Sequence, residues 1–295
     1  MSRMKAFAML QLWTVLLLQA VKTYGYKPVI IIHGILDDAR DLSELGAYIE
    51  KAHPGTEVHT LDLFDHYYSF KPLWEQLSVI KNITDPIMKK AKNGVHLIGY
   101  SQGGLIGRGI IQTTDHHNVD SFIALSSPLN GQFGDTSFIN WLLPSKLKED
   151  LYRFFYTNYG QLFSIGNYWK DPHHSKQYRK YSSYLAALNN ESVQDNFSFP
   201  PSWRSNFARL GKLVLIGGPD DGVIAPWQSA QFGCFNRNEK PVEMRKLRLY
   251  HDDVIGLKTL DKDNRLKECT QSNVHHTHWH RNYTVFLNCI EPWLT

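Results

Sequence analysis

The first half of this 295-residue chain alternates short apolar runs with longer segments in which apolar residues recur at helical spacing. Short segments rich in apolar or alternating residues and bounded by turn residues predict strands, and these segments lie at 28–32, 57–61, 95–98 and 119–125. Helices are predicted between them, at 72–90 and 105–112. Strands that alternate with helices in this order favour a parallel sheet, so the pattern indicates an α/β protein.

The pattern changes after residue 127. Residues 130–206 contain short helical pieces with many aromatic side chains, and the strand pattern returns only at Leu213–Ile216. Aromatic residues at this density are usually part of a core. An insertion that covers a functional site is the alternative, and the pattern alone leaves both interpretations open.

One pentapeptide carries a catalytic signature. Gly99-Tyr100-Ser101-Gln102-Gly103 directly follows the apolar run 95–98 and precedes a predicted helix. A serine between two glycines in this context is typical of a nucleophile elbow, a sharp turn that lifts the hydroxyl out of the sheet. His33-Gly34, at the end of the first strand, resembles the loop that supplies half of an oxyanion hole in α/β hydrolases.

These two motifs predict an α/β-hydrolase fold, with a mostly parallel central sheet and a helical insertion after the strand that follows the nucleophile helix. In this fold the acid and the histidine follow the serine along the chain. The strand 213–216 ends in a glycine-rich turn that contains Asp220 and Asp221. Asp221 is the preferred acid, because Asp220 follows Pro219 and has the position of a turn residue.

The base is harder to choose, since residues 274–280 contain four histidines. We expect His276 to be the general base, with His280 as the second choice. A histidine-rich tract could also bind a metal, but no cysteine, aspartate or glutamate lies within this one. The sequence therefore favours a base on a loop over a metal site, and the chemistry requires no cofactor.

Longer segments around these motifs resemble palmitoyl-protein thioesterases, and most closely a lysosomal branch of that family. The resemblance is carried by residues 33–35, 94–104, 118–123, 217–224 and 289–294. Carried over residue by residue, it implies Ser101 as nucleophile, Asp221 as acid and His276 as base. It also implies that the backbone N–H groups of Ile35 and Gln102 form the oxyanion hole.

The resemblance implies a lysosomal serine thioesterase that hydrolyses long-chain fatty acyl thioesters, such as palmitoyl-coenzyme A and S-acyl groups, through an acyl-serine intermediate. Residues 130–206 would then be a cap whose apolar inner face holds the acyl chain. Two alternatives stay open. One is a lipase or carboxylesterase that acts on oxygen esters with the same catalytic residues, and the other is a non-catalytic lipid-binding protein of the same fold.

Cysteine is sparse in this chain, with residues at 234, 269 and 289 only. The resemblance implies a disulfide between Cys269 and Cys289, which flank the histidine tract, and leaves Cys234 as a buried thiol. Close relatives carry further bridges, including one between the positions that are Gly99 and Gly107 here. The chain therefore lacks part of the family's disulfide set.

The N-terminal region predicts entry into the secretory pathway. Arg3 and Lys5 precede an apolar run, which favours a signal peptide over residues 1–25 and a single domain over 26–295; an uncleaved anchor is the alternative. N-glycosylation is predicted at four N-x-S/T sequons, which begin at Asn82, Asn190, Asn196 and Asn282. We expect delivery to the lysosome by this route, with secretion from the cell as the alternative.

The remaining composition narrows the choice of partners. A formal net charge of +4 without a basic run gives no support for nucleic-acid binding. No later apolar run approaches about 20 residues, so we expect no stable membrane span. A fatty acyl thioester is therefore the partner that the sequence predicts, and the sequence does not indicate an oligomeric state.

Overall fold

A computed structural model describes residues 25–142 and 148–295 of the chain. The predicted signal peptide, apart from its last residue, lies outside the described residues, as do residues 143–147 of the predicted insertion. Within the described part of the chain, no helix is long and apolar enough to cross a membrane.

In the described residues, six parallel strands form the central sheet, in the order β2-β1-β3-β4-β5-β8, and β6 and β7 form a separate antiparallel pair. The strands are β1 Val29–Ile32, β2 Val58–Thr60, β3 Val95–Tyr100, β4 Val119–Leu125, β5 Lys212–Gly217, β6 Cys234–Phe235, β7 Pro241–Val242 and β8 Leu266–Thr270. β1 pairs with β2 on one side and with β3 on the other. Successive strands are therefore added on opposite sides of β1, and the strand order changes direction at this point. The loops that follow β1 and β3 therefore meet at the carboxyl edge, where open α/β sheets place their sites.

Helices cover both faces of the sheet. They are α1 Ser43–Ala52, α2 Leu73–Lys90, α3 Gln102–Thr113, α4 Ser137–Leu142, α5 Lys148–Phe155, α6 Ser164–Tyr168, α7 Ser175–Tyr181, α8 Leu185–Leu188, α9 Pro201–Ala208, α10 Arg248–His251, α11 Leu257–Lys262 and α12 Tyr283–Val285, with short 3-10 turns between several of them. Strand β4 has the predicted bounds, and α2 starts one residue after the predicted start. Helix α3 begins at Gln102, earlier than predicted, because the turn at Ser101 leads directly into it.

Strand residues are buried on both faces of the sheet. In β1, Ile30 and Ile32 belong to one hydrophobic cluster with residues of α2 and α3, whereas Val29 and Ile31 belong to a second cluster with α1 and the C-terminal segment. Alternate side chains of a strand point to opposite faces, so a strand that is apolar throughout requires cover on both. The observed sheet and its two helical layers match the predicted α/β architecture.

Between β4 and β5 the chain forms the short helices α4 to α9. Part of the aromatic content of this region is core, since Phe155, Tyr168 and Trp169 are buried in the main hydrophobic cluster. Trp141 and Tyr159 have 63% and 77% of their surface exposed instead. The insertion therefore packs on the sheet through one set of aromatic side chains and presents another set to solvent. Its role as a cap stays a prediction.

The C-terminal segment is joined to the sheet by a disulfide. Cys269 in β8 is bonded to Cys289, with their Cα atoms 5.8 Å apart, and this is the pair that the family resemblance implied. The bridge flanks the histidine tract on both sides. Cys234 in β6 is half-buried rather than fully buried as expected, and burial raises the pKa of its thiol.

Candidate active site

Ser101 stands at the turn between β3 and α3. Its backbone has φ 51° and ψ −124°, a conformation that non-glycine residues rarely adopt. The turn is tight, because a Cβ at Gly103 would lie 2.3 Å from the carbonyl oxygen of Ile32, and one at Gly99 would lie 2.4 Å from the Cα of Gly104. Only glycine fits at these two positions, which explains the spacing of the motif.

The structure brings the three residues of the expected triad together. His276 Nε2 lies 2.9 Å from Ser101 Oγ, and His276 Nδ1 lies 2.9 Å from Asp221 Oδ2. All three residues are buried, although they come from the segments after β3, β5 and β8. In this order the serine hydroxyl has an acceptor for its proton, and the imidazole has a partner for its second nitrogen.

Both oxygens of the Asp221 carboxylate accept hydrogen bonds. Oδ1 accepts the backbone N–H groups of Val223 at 3.1 Å and Ile224 at 2.7 Å. Oδ2 accepts the hydroxyl of Ser126 at 2.5 Å and the indole N–H of Trp279 at 2.6 Å. Burial by itself would raise the pKa of this carboxyl, but its hydrogen bond to the imidazole and the other donors hold the pKa below its usual value. The acid is therefore kept ionised beside the imidazole.

Backbone contacts hold the loop that carries His276. Its N–H donates to the carbonyl oxygen of Asp221 at 2.9 Å, and its carbonyl oxygen accepts the Tyr100 hydroxyl at 2.8 Å. Burial raises the pKa of Tyr100 well above its usual value, so the hydroxyl stays a donor. The sequence motifs did not indicate a role for Tyr100, Ser126 or Trp279. One signal was available, because a polar residue directly after a predicted strand, as Ser126 follows β4, marks the carboxyl edge of the sheet.

The other candidates for the acid and the base do not take part in the triad. Asp220 Oδ2 accepts the backbone N–H of Asn273 at 2.7 Å. His280 is buried against an aromatic ring of β3, with 4.8 Å between the ring centroids, and burial lowers its pKa to about 4. His275 and His278 are exposed. Among residues 25–142 and 148–295, no group of three histidine, cysteine, aspartate or glutamate side chains is placed to hold a metal ion.

Two backbone N–H groups beside Ser101 have no protein acceptor in the part of the chain that the structure describes. One belongs to Ile35 in the loop after β1, and the other belongs to Gln102, the first residue of α3. The first N–H groups of a helix have no partner within the helix, and they stabilise negative charge. These are the two donors that the family resemblance implied for an oxyanion.

Ser69 ties the two donor segments together. The Leu36 N–H donates to Ser69 Oγ at 2.8 Å, and the Gln102 side-chain amide donates to the Ser69 carbonyl oxygen at 2.7 Å. Leu36 has φ 67°, a left-handed conformation that is uncommon for a bulky residue. The strained loop after β1 is therefore held by the segment that follows β2.

A second carboxyl group, that of Asp37, borders the site. A Cβ at Gly34 would lie 2.5 Å from Asp37 Oδ2 and 3.0 Å from the Cβ of Ser101. Burial, followed by the charge of Asp41, raises the pKa of Asp37 to about 6, against the lowering effects of two nearby imidazoles and the Gly34 N–H. The sequence motifs did not single out this residue.

The four sequons lie at or near the surface. Asn82, Asn190 and Asn196 are exposed, and Asn282 is half-buried. Asn82 lies within α2, whereas Asn282 caps α12 by accepting the Val285 N–H with its side chain. Exposure makes three of the four asparagines accessible to glycosylation, which stays a prediction.

Comparison with known proteins points to one family. The family described as palmitoyl protein thioesterase matches residues 28–276. A Bos taurus protein named lysosomal thioesterase PPT2 is 51% identical over 271 residues, which cover 92% of this chain and 88% of that protein. The Homo sapiens protein of the same name is 50% identical over 271 residues, which cover 92% of this chain and 89% of that protein.

A solved structure shares the fold at much lower sequence identity. The lipase BlEst2 of Bacillus licheniformis has a TM-score of 0.52 and 13% identity, and the match covers 94% of this chain and 95% of the lipase. At this identity the likeness concerns the fold alone. It confirms the prediction of an α/β-hydrolase fold with a parallel central sheet.

Proposed function

Because this chain belongs to the palmitoyl protein thioesterase family, we propose that it hydrolyses long-chain fatty acyl thioesters through an acyl-serine intermediate. The resemblance carried by the sequence motifs is confirmed, and with it the prediction of a thioester hydrolase. The observation that supports the acyl-serine route is the hydrogen-bonded series of Ser101, His276 and Asp221, with 2.9 Å at each link.

The first half-reaction transfers the acyl group to the protein. His276 Nε2 takes the proton of Ser101 while Oγ attacks the carbonyl carbon of the thioester. The carbonyl oxygen becomes an oxyanion and accepts hydrogen bonds from the N–H groups of Ile35 and Gln102. When the intermediate collapses, the C–S bond breaks, the thiol leaves with the proton that His276 held, and an ester on Ser101 remains.

Water completes the cycle in the second half-reaction. The imidazole of His276 takes a proton from a water molecule, and the water oxygen attacks the carbonyl carbon of the ester. Collapse of this intermediate breaks the bond to Ser101 Oγ, returns the proton to that oxygen and releases the fatty acid. Asp221 stabilises the imidazolium in each half-reaction, and its hydrogen-bond donors keep it ionised.

We assign the acyl chain to the insertion, residues 130–206. Each methylene that leaves water contributes about 0.8 kcal/mol, so an apolar surface is enough to favour long chains. Trp141 and Phe163 have 63% and 44% of their surface exposed, so the insertion has apolar surface beyond what the core uses. We expect a thioester with a small head group, such as that of coenzyme A, to be the substrate.

The lysosome, reached through the secretory pathway, is the site of action that we propose. The relatives compared above are named lysosomal, and three exposed sequons would carry the glycans of a secretory glycoprotein. The predicted signal peptide over residues 1–25 supports the same route. Removal of N-linked glycans from the secreted protein should increase its mobility on a denaturing gel, and unchanged mobility would contradict this route.

Hydrolysis of palmitoyl-coenzyme A by the mature protein tests the proposed function. We expect turnover by the parent, loss of turnover in Ser101→Ala, and unchanged turnover in the control Ser205→Ala, whose side chain is exposed on α9. Intact-mass spectrometry after rapid acid quenching should show one added palmitoyl group on the parent. The S101A variant should not acquire this mass, because it lacks the nucleophile.

A matched oxygen ester, 4-nitrophenyl palmitate, separates the thioesterase from the lipase alternative. Both esters pass through the same acyl-serine, so the triad by itself does not distinguish them. Faster turnover of the thioester supports the proposal. A folded parent that hydrolyses only the oxygen ester, or neither substrate, would contradict it.

A further inference from the structure

The oxyanion side of the site contains a histidine that the triad does not use. His33 follows β1 directly, just before the loop that carries Ile35, and only 5% of its surface is exposed. Its Nδ1 lies 2.8 Å from the carbonyl oxygen of Gly34, and its Nε2 lies 2.8 Å from the carbonyl oxygen of Leu63. Carbonyl oxygens accept hydrogen bonds and cannot donate them.

Two carbonyl acceptors require two donors on the same ring. A neutral imidazole carries a proton on one nitrogen only, whereas an imidazolium donates from both. The surroundings favour the cation, because Asp65 Oδ1 lies 3.5 Å from His33 Nε2 and is a buried oxygen with no hydrogen-bond partner among the residues described. The geometry therefore indicates a buried imidazolium at position 33.

The Gly34 carbonyl belongs to the same peptide unit as the Ile35 N–H. In a planar trans peptide, the C=O and N–H bonds point in opposite directions. A donor that holds the Gly34 oxygen on one side therefore aims the Ile35 N–H to the other side. A cationic donor also polarises the amide, and hydrogen bonds that share an amide strengthen one another.

We propose that His33 is a positioning residue for the oxyanion hole: as an imidazolium, it fixes and polarises the Gly34–Ile35 peptide so that the Ile35 N–H meets the oxyanion. This inference rests on the assignment of that N–H in the proposed function. His33 does not touch the substrate. It acts through the one peptide group that does.

The charged groups around the ring come from three segments. Asp37 lies on the same loop, Asp65 lies on the segment after β2 with Asp62 acting on it, and His276 acts on Asp37 from the histidine loop. Burial raises the pKa of both Asp37 and Asp65. The two carbonyl groups at 2.8 Å are therefore the contacts that hold the ring whatever the charge of these carboxyl groups.

Two amide variants separate the two contacts of the ring. The amide nitrogen of asparagine can take the place of Nδ1, and that of glutamine the place of Nε2. His33→Asn therefore keeps a neutral donor to Gly34, whereas His33→Gln keeps a donor to Leu63 only. We expect kcat on palmitoyl-coenzyme A to fall in the order parent, H33N, H33Q, with KM unchanged. The kcat of H33Q should lie about 10- to 100-fold below that of the parent. This loss is smaller than the one expected when an oxyanion donor is deleted.

The pH dependence tests the charge separately from the contact. The ratio of parent kcat to H33N kcat should be larger in acidic than in alkaline solution, because asparagine carries a neutral donor at every pH. A ratio that is independent of pH would overturn the proposal. His251→Asn, which changes an exposed histidine on α10, is the matched control and should show a ratio of one throughout.

Nitrogen-15 NMR of the parent provides a measurement that needs no variant. Both ring nitrogens of His33 should carry a proton at the pH at which activity is measured, and an unprotonated nitrogen there would overturn the proposal. If the parent hydrolyses the thioester through Ser101 but H33N and H33Q are equally active, the inference is wrong and the proposed function stands. If the parent does not hydrolyse the thioester, both are wrong.

Discussion

Asp221 and Asp37 both lie in the electrostatic field of His276, on the segments that follow β5 and β1. Burial acts on both carboxyl groups and by itself raises the pKa of each. The pKa of Asp221 nevertheless lies below the usual range, whereas that of Asp37 is raised to about 6. The two carboxyl groups therefore carry different charges in mildly acidic solution.

The two carboxyl groups differ in the hydrogen-bond donors that surround them. Asp221 accepts two backbone N–H groups, a hydroxyl, an indole N–H and the imidazole of His276, whereas the backbone donor that lowers the pKa of Asp37 is the N–H of Gly34. A nearby cation is thus not enough to keep a buried carboxyl ionised; several fixed donors are. Environments that separate the pKa values of two carboxyl groups in this way are typical of catalytic sites.

Removing the charge of Asp221 should have the largest effect on activity. In Asp221→Asn, the amide presents an N–H to His276 Nδ1 and favours the tautomer that carries its proton on Nε2, which then cannot accept from Ser101. We expect kcat on palmitoyl-coenzyme A to fall roughly 10⁴-fold with the fold intact. Asp220→Asn is the matched control and should keep its activity, since Asp220 bonds to the Asn273 backbone. A loss below tenfold in D221N would show that the donors around this carboxyl serve stability alone.

Asp37→Asn should affect stability rather than chemistry. A folded-state pKa of about 6 against an ordinary 3.8 stabilises the protein below pH 3.8, and this contribution is lost as the pH rises through 6. Two pKa units correspond to about 3 kcal/mol, so the D37N variant should gain up to about 3 kcal/mol of unfolding free energy at pH 7 and little near pH 4. Denaturant unfolding at the two pH values measures this difference.

Asp252→Asn serves as the control for D37N, because Asp252 is an exposed carboxyl that pairs with Arg248. Its stability should change little between pH 4 and pH 7. Equal stabilisation of D37N at both pH values would contradict the raised pKa of Asp37. A loss of stability at pH 7 would show that the ionised carboxylate is favourable there.

The fold was predictable because its signals are local. Strand β4 lies where a segment rich in apolar residues predicted it, and the turn at Ser101 requires glycines at positions where any Cβ would collide with neighbouring backbone. The start of α3 was less predictable, since the first turn of that helix is made of the motif's own polar and glycine residues. Local sequence therefore determined the elements better than their boundaries.

The site was predictable only in part, because its contacts join distant residues. Four histidines in one heptapeptide look alike in sequence, and only the fold buries His276 against Ser101, 175 residues away. Ser126 and Trp279 meet Asp221 across separations of 95 and 58 residues. Hydrogen bonds over such distances follow from how the strand ends are arranged at the sheet edge, and no local pattern encodes them.

Trp279→Phe should give the smallest effect and the sharpest test of the donor argument. The change removes the indole N–H from Asp221 Oδ2, at 2.6 Å, while the remaining donors stay in place. A hydrogen bond to a charged group contributes about 1.5–3 kcal/mol, so we expect an approximately tenfold loss of kcat/KM. Because the lost donor favoured the carboxylate, the pKa of Asp221 should rise, and the decline of activity in acid should begin at a higher pH than in the parent. Trp293→Phe, a half-buried tryptophan outside the site, is the control and should leave the pH profile unchanged. A uniform loss of activity in W279F at every pH would mean that the indole acts by packing, and that the other donors suffice to keep Asp221 ionised.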